Sequence, residues 1–199
     1  KEITPDDYAS LKDKCIVTPL NKDSLEINER VLARHVGEMK TYTSFDDVVM
    51  KEDDDDLQLP MEHLNSLTPS GFPPHKLNLK IGAPIILLRN LNKRKGLCNG
   101  TRLQVVELKP NVIVAKVMTG SAEGETVLIP RIILNETDPD MPITLRRKQF
   151  PVRLAYCLSI NKSQGQSFLK IGIYLPNPCF SHGMLYTALS RSRTFAGVR

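Results

Sequence analysis

No apolar run in this sequence approaches the roughly 20 residues that a helix needs to cross a bilayer. No segment shows the charged, apolar and small-residue order of a secretory signal. A membrane protein is therefore not expected. An initiator Met is also missing: the chain opens with Lys1-Glu2-Ile3, which suggests a processed chain or an excised piece. The four cysteines, Cys15, Cys98, Cys157 and Cys179, form no Cys-x-x-Cys pair. That spacing excludes the familiar zinc sites and argues against a disulfide scaffold. Buried thiols in a reducing compartment are the expectation. No Gly-x-x-x-x-Gly-Lys-[Ser/Thr] occurs, so the chain lacks the glycine-rich cradle that P-loop enzymes wrap around phosphates. No apolar strand ends in an Asp-Glu pair either; Glu26, Glu29 and the acidic run near residue 53 sit in other contexts.

What is present suffices for one or two compact domains: 199 residues, 41% of them hydrophobic. The net charge of +5 is unevenly spread. Residues 1–70 carry 8 Lys/Arg against 16 Asp/Glu, and residues 71–199 carry 19 against 6. The second stretch has a field suited to a polyanion. A basic surface serving solubility would give the same count.

Elements follow from local pattern. Cys15-Ile16-Val17 reads as a buried strand stopped at Thr18-Pro19. A helix then starts, with Asp23 as N-cap and Glu26 closing a capping box. Leu25, Val31, Leu32, Val36 and Met39 give it an apolar face. Thr41 to Met50 is β-prone. Lys51 to Asp56 reads as a solvated acidic loop, because it lacks the glycine spacing of calcium loops. Pro60 opens a short helix through Leu67. Short β-prone runs then follow between residues 77 and 133, divided by Gly, Asn and Pro, as in a small antiparallel barrel. Val152, Leu154, Tyr156 and Leu158 alternate along one strand, Lys170 to Leu175 form another, and Ser181 caps a helix through Leu189. The whole reads as an α/β domain interrupted by a small β insertion.

Two segments carry chemistry. Leu158 to Ser167 follows a buried strand with Ser159, Asn161, Lys162, Ser163 and Gln164, donors suited to phosphate oxygens at the carboxyl end of a sheet. A polar turn with a surface lysine would look the same. Tyr186 to Arg193 is a helix with a doubly basic end. Its Arg191 is either a held guanidinium for a phosphate or a partner for the helix dipole.

Together these segments resemble known motifs. Ser159-Ile160-Asn161-Lys162-Ser163-Gln164-Gly165-Gln166-Ser167 resembles motif V of superfamily-one helicases that run 5′ to 3′. Tyr186 to Arg191 resembles their motif VI. Cys15 to Asn21, followed by Ile27-Asn28, resembles their motif IV. Gly71-Phe72-Pro73-Pro74-His75-Lys76-Leu77, Leu87 to Leu91 and Gly96 to Arg102 are similar to the petite-integration-frequency (PIF-type) DNA helicases. Those carried by Helitron-type transposons are the most similar in texture, and in them Phe150 to Arg153 also leads into motif V.

The resemblance, spanning about residues 14–196, implies the second of two RecA-like motor domains, split over residues 1–80 and 149–199. An SH3-like β-barrel would be inserted at 81–148. It implies DNA contacts at Thr18, Pro19, Asn21, Ser159, Asn161, Lys162 and Ser163; many relatives have His where Asn161 stands. Gln164 and Gly165 would lie where the DNA and ATP sites meet. Arg191 becomes the arginine finger for the γ-phosphate, with Arg193 in support. ATP and Mg²⁺ would be held by the intact enzyme, with its missing first motor domain, and not by this chain alone. The chain by itself is expected not to hydrolyse ATP. A monomeric, intracellular protein of the nucleus or the mitochondrion acting on single-stranded DNA is implied. A non-enzymatic nucleic-acid-binding module and a transposon-derived relic are the alternatives.

Overall fold

The computed structural model describes residues 2–50, 60–137 and 143–199. Its elements are β1 (Lys14–Thr18), α1 (Asn21–Ala33), β2 (Lys40–Thr43), β3 (Phe45–Met50), α2 (Met61–Ser66), β4 (Lys76–Leu79) and β5 (Pro84–Leu87). There follow β6 (Arg102–Leu108), β7 (Val112–Val117), β8 (Thr126–Pro130), β9 (Ile132–Thr137), β10 (Ile143–Gln149) and β11 (Val152–Leu154). The chain closes with β12 (Cys157–Ser159), β13 (Lys170–Ile173) and α3 (Met184–Leu189). The acidic run Lys51 to Asp56 lies outside the described residues.

A parallel sheet of order β12-β1-β13 receives α1 and α3, and an antiparallel sheet of order β11-β5-β6-β7-β8 stands beside it. This is a mixed α/β fold with a small β part. The five-stranded sheet stays open, with β11 and β8 at its edges, and does not close into a barrel among the described residues. A third sheet pairs β3 with β10 and β10 with β9, and β2 pairs with β4. Along β8 the pattern is plain: Val127 and Ile129 face the core while Leu128 is exposed. Strand β5 is buried on both faces. Its Ile85 and Leu87 join the core of the five-stranded sheet, and Ile86 joins the core under the parallel sheet.

The expected single strand over 152–158 is two strands in two sheets. Val152–Leu154 pairs antiparallel with β5, and Cys157–Ser159 pairs parallel with β1. At the switch, α1 takes up the backbone groups on either side of Ala155-Tyr156. Asn28 Nδ2 donates to Leu154 O (3.2 Å) and Cys157 O (2.9 Å), and Cys157 N donates to Asn28 Oδ1 (2.9 Å). Ser24 Oγ adds a bond to Cys157 O (2.9 Å). The buried stripe of α1 is therefore Ser24, Asn28 and Leu32, at i, i+4, i+8. Two expectations need correction here. Leu20 is the N-cap and Asp23 lies in the first turn, while Val36 and Met39 lie beyond the helix. Likewise α3 is capped by Gly183, not Ser181.

Arginines hold the joints. Arg147 is fully buried and all five of its donors are used. Nε and Nη2 clasp Asp46 (2.8 and 2.6 Å), and the rest reach the carbonyls of Leu64, Leu67 and Pro73. Arg153 donates to Phe72 O and Pro69 O, and burial, then Arg147, pushes its pKa down to about 10. Arg102 reaches from β6 to the carbonyls of Leu11, Lys12, Lys14 and Ala155 and stacks on Phe168.

His35 closes the end of α1. Its Nε2 lies 2.9 Å from Ile81 O, so the proton sits there, and Tyr156 OH donates to Nδ1 at 2.6 Å. Tyr8 stacks on the ring at 4.8 Å. Burial pushes the His35 pKa below its usual value. The unfolded chain takes up this proton below about pH 6.5 while the folded one resists it, so stability falls as pH drops. Urea midpoints at about pH 7.5 and about pH 5.5 check this, the lower pH giving the lower midpoint. In His35→Gln the difference should shrink.

Candidate nucleic-acid and nucleotide site

The parallel register sets Thr18 beside Ser159, at the carboxyl ends of β1 and β12. This is the edge where open α/β sheets receive ligands. Thr18 is fully buried and its Oγ1 has no hydrogen-bond partner. Pro19 is buried and ends β1, and Asn21 is exposed at the start of α1.

From Ser159 the chain enters a 3₁₀ turn, Ile160–Ser163. Ile160 anchors it in the core under the parallel sheet. Ser163 is fully buried and its Oγ donates to Ile160 O (2.7 Å). That hydroxyl ties the turn together and does not point outward. Asn161 and Gln164 are exposed and Lys162 is half-buried. Gly165 has φ +77, a left-handed conformation that favours glycine and carries the chain out of the turn.

Lys162 stands between two clefts. One is narrow, about 30 Å³, and is shared with Asn21, Ser24, Asn99 and Ser159. The other, about 340 Å³, runs past Gln164 and Gly165 to Gly100 and Thr119. Asn21, Ser159 and Lys162 therefore meet in one cleft, and Lys162, Gln164 and Gly165 in the next.

Arg191 lies just past α3, whose Met184 and Ala188 are buried in the core under the parallel sheet. Its Nε donates to Thr187 O (3.1 Å), Nη1 to Gln166 O (3.2 Å) and Nη2 to Ser190 Oγ (2.9 Å). The backbone repeats the link, with Phe168 N donating to Arg191 O (2.8 Å). Arg193 follows on the same segment, its N donating to Phe168 O (3.0 Å). It is exposed, and its charge opposes that of Lys12, whose pKa is raised by its hydrogen bond to Glu123.

Gln166 is absent from the sequence-derived site residues, yet it is the hub. Its carbonyl takes the Arg191 guanidinium, and its Nε2 donates to Gly100 O (3.2 Å) in the β5–β6 connection. Asn28 and Asn99 were missed as well. Asn28 braces the strand that carries the turn, and Asn99 lines the Lys162 cleft. Placing Gln166, Asn28 and Asn99 requires the third dimension; the only sequence signal is their position inside the polar motifs. All four cysteines are free, and burial pushes Cys15 up to about 11 and Cys157 up to about 12, so both stay protonated thiols.

A strand-to-turn segment at a sheet edge, tied to an arginine at a helix end and flanked by a small β part, is an arrangement this chain shares with RecA-like helicase domains of solved structure. Residues 62–108 match the family model described as DNA helicase Pif1, 2B domain. The ATP-dependent DNA helicase PIF1 of Danio rerio is 32% identical over 181 residues, 90% of this chain and 26% of that protein. A Candida albicans Pif1 helicase crystal structure shares the fold, with a TM-score of 0.71 at 24% identity over 98% of this chain and 48% of that one. A Bacteroides Pif1 helicase in complex with ADP-AlF3 and ssDNA gives a TM-score of 0.64 at 26% identity, over 97% of this chain and 43% of that one. The chain is thus similar to Pif1-type DNA helicases along nine-tenths of its length. It spans about a quarter of the length of the curated Danio rerio relative.

Proposed function

We propose that this chain is the second motor domain, within the C-terminal half, of an ATP-dependent 5′-to-3′ DNA helicase. In this reading residues 1–80 and 149–199 form the motor part and 81–148 an SH3-like insertion. The observation that carries it is the register of Thr18 with Ser159, which gathers the motif IV and motif V residues on one sheet edge beside Lys162. The backbone of single-stranded DNA lies along Thr18, Pro19, Asn21, Ser159, Asn161 and Lys162. Ser163 serves through its backbone, its hydroxyl being committed to Ile160 O. ATP binds between this domain and a first motor domain carrying the Walker motifs, with Gln164, Gly165 and Arg191 facing its phosphates and Arg193 in support. Among the described residues no three His, Cys, Asp or Glu cluster in a way that could hold a metal. Mg²⁺ would be held with ATP by the Walker motifs of the first motor domain. The protein would act as a monomer, in the nucleus or the mitochondrion. No helix among the described residues is long and apolar enough to cross a membrane.

Lys162→Ala tests the groove. Single-stranded DNA affinity should fall about equally for different sequences, because phosphates carry no base information. The slope of log affinity against log salt should shrink by about 0.7, one phosphate contact. Fluorescence anisotropy across a salt series measures both. Unchanged affinity and slope would reject the groove.

A further inference from the structure

We propose that the exposed turn Lys93-Arg94-Lys95 is a second phosphate-backbone contact, which continues the Lys162 groove along the same nucleic-acid strand. The inference rests on the DNA-binding reading above. The turn is a built platform. Asn92 Oδ1 accepts from Lys95 N (3.2 Å), Leu97 N donates to Asn92 O (2.9 Å), and Leu91 N returns a bond to Leu97 O (2.9 Å). Gly96, at φ +68, closes the turn in the left-handed region.

All three cations are exposed, and none pairs with a carboxylate among the described residues. Three adjacent like charges on one turn repel one another. A polyanion reverses the sign of that energy.

Location selects the polyanion. The connection that carries the turn also carries Asn99, which lines the Lys162 cleft, and Gly100, whose carbonyl takes the Gln166 amide. Asn99 lies four positions after Lys95, so the tip lies at most about 14 Å from the groove along the chain. At roughly 3.4 Å of rise per nucleotide in a stacked strand, that is about four phosphates. A strand that fills the groove and continues past Asn99 meets the basic tip. An acidic peptide has no reason to share that line.

The test uses this chain and two oligothymidylates of about 4 and about 16 nucleotides, both inside the usual range of single-strand site sizes, the shorter one long enough to fill the groove but too short to reach the tip as well. The triple variant Lys93→Ala, Arg94→Ala, Lys95→Ala is compared with Lys162→Ala and wild type across a salt series. The triple variant should bind the short oligonucleotide as wild type does. On the long one its log–log salt slope should fall by about 2, three contacts at about 0.7 each. Lys162→Ala should weaken both. Loss in Lys162→Ala with none in the triple variant overturns the second contact and leaves the groove standing. Equal loss on both oligonucleotides in the triple variant also overturns it, since that is general charge and not continuation. No change in either variant removes the groove reading and this inference with it. The substituted side chains are exposed, and a thermal melt checks that folding is intact.

Discussion

In the intact helicase, Arg191→Ala is expected to lower DNA-stimulated ATP hydrolysis by at least about 10³-fold, the lower end of what arginine fingers contribute. DNA binding and the melting temperature should change little. The guanidinium is held before any nucleotide arrives, by Thr187 O, Gln166 O and Ser190 Oγ. Preorganised charge of this kind needs little rearrangement when charge develops on the transferring phosphoryl group. The competing role is local: Arg191 also satisfies a carbonyl in the last turn of α3, which is worth about 0.3–1 kcal/mol. That role predicts a small loss of stability and near-normal turnover. Arg191→Lys should recover little activity, because an ammonium cannot bridge three acceptors in the planar fork that Arg provides. Steady-state rates beside a thermal melt separate the two. A variant that melts early but turns over normally would take Arg191 out of the nucleotide site.

The largest stability effect is expected at Arg147 and Asp46. Removing either partner alone leaves the other charge buried, which costs about 3–5 kcal/mol. Arg147→Met also frees the carbonyls of Leu64, Leu67 and Pro73 in a region closed to water. The double variant Asp46→Leu, Arg147→Met should recover part of that loss, because no lone charge remains. Chemical denaturation of the two single variants and the double variant gives the coupling energy directly. Single variants within about 0.5 kcal/mol of wild type would show that the pair is dispensable.

Much of the outline was legible from local chemistry. Pro60 does open a short helix, and the runs after residue 76 do become strands, because turns and alternation are local signals. The polar turn after Leu158 was legible for the same reason. The switch at Ala155 was not. Residues 150–160 are buried almost without interruption, so no periodicity marks where the partner strand changes. Nor was the buried face of α1, because Ser24 and Asn28 look like surface residues until Cys157 is set against them. Charge misled in a similar way. The basic excess after residue 71 reads as surface field, yet Arg102 and Arg147 are buried and Arg89 and Arg153 also spend donors on backbone carbonyls. Gln166 stands inside a polar motif, but its linking role could not be read, since its partners lie 25 residues ahead and 66 residues behind in the chain.

The two residues between β11 and β12 have a mechanical meaning. A linker that short stores no slack. Asn28 pins both of its ends to one helix, and Arg102 pins Ala155 to the neighbouring sheet. The β part and the parallel sheet are thus coupled like the arms of a single lever, with the pivot at Ala155-Tyr156. A load borne by the β part reaches the Ser159–Ser163 turn without being lost in a flexible tether.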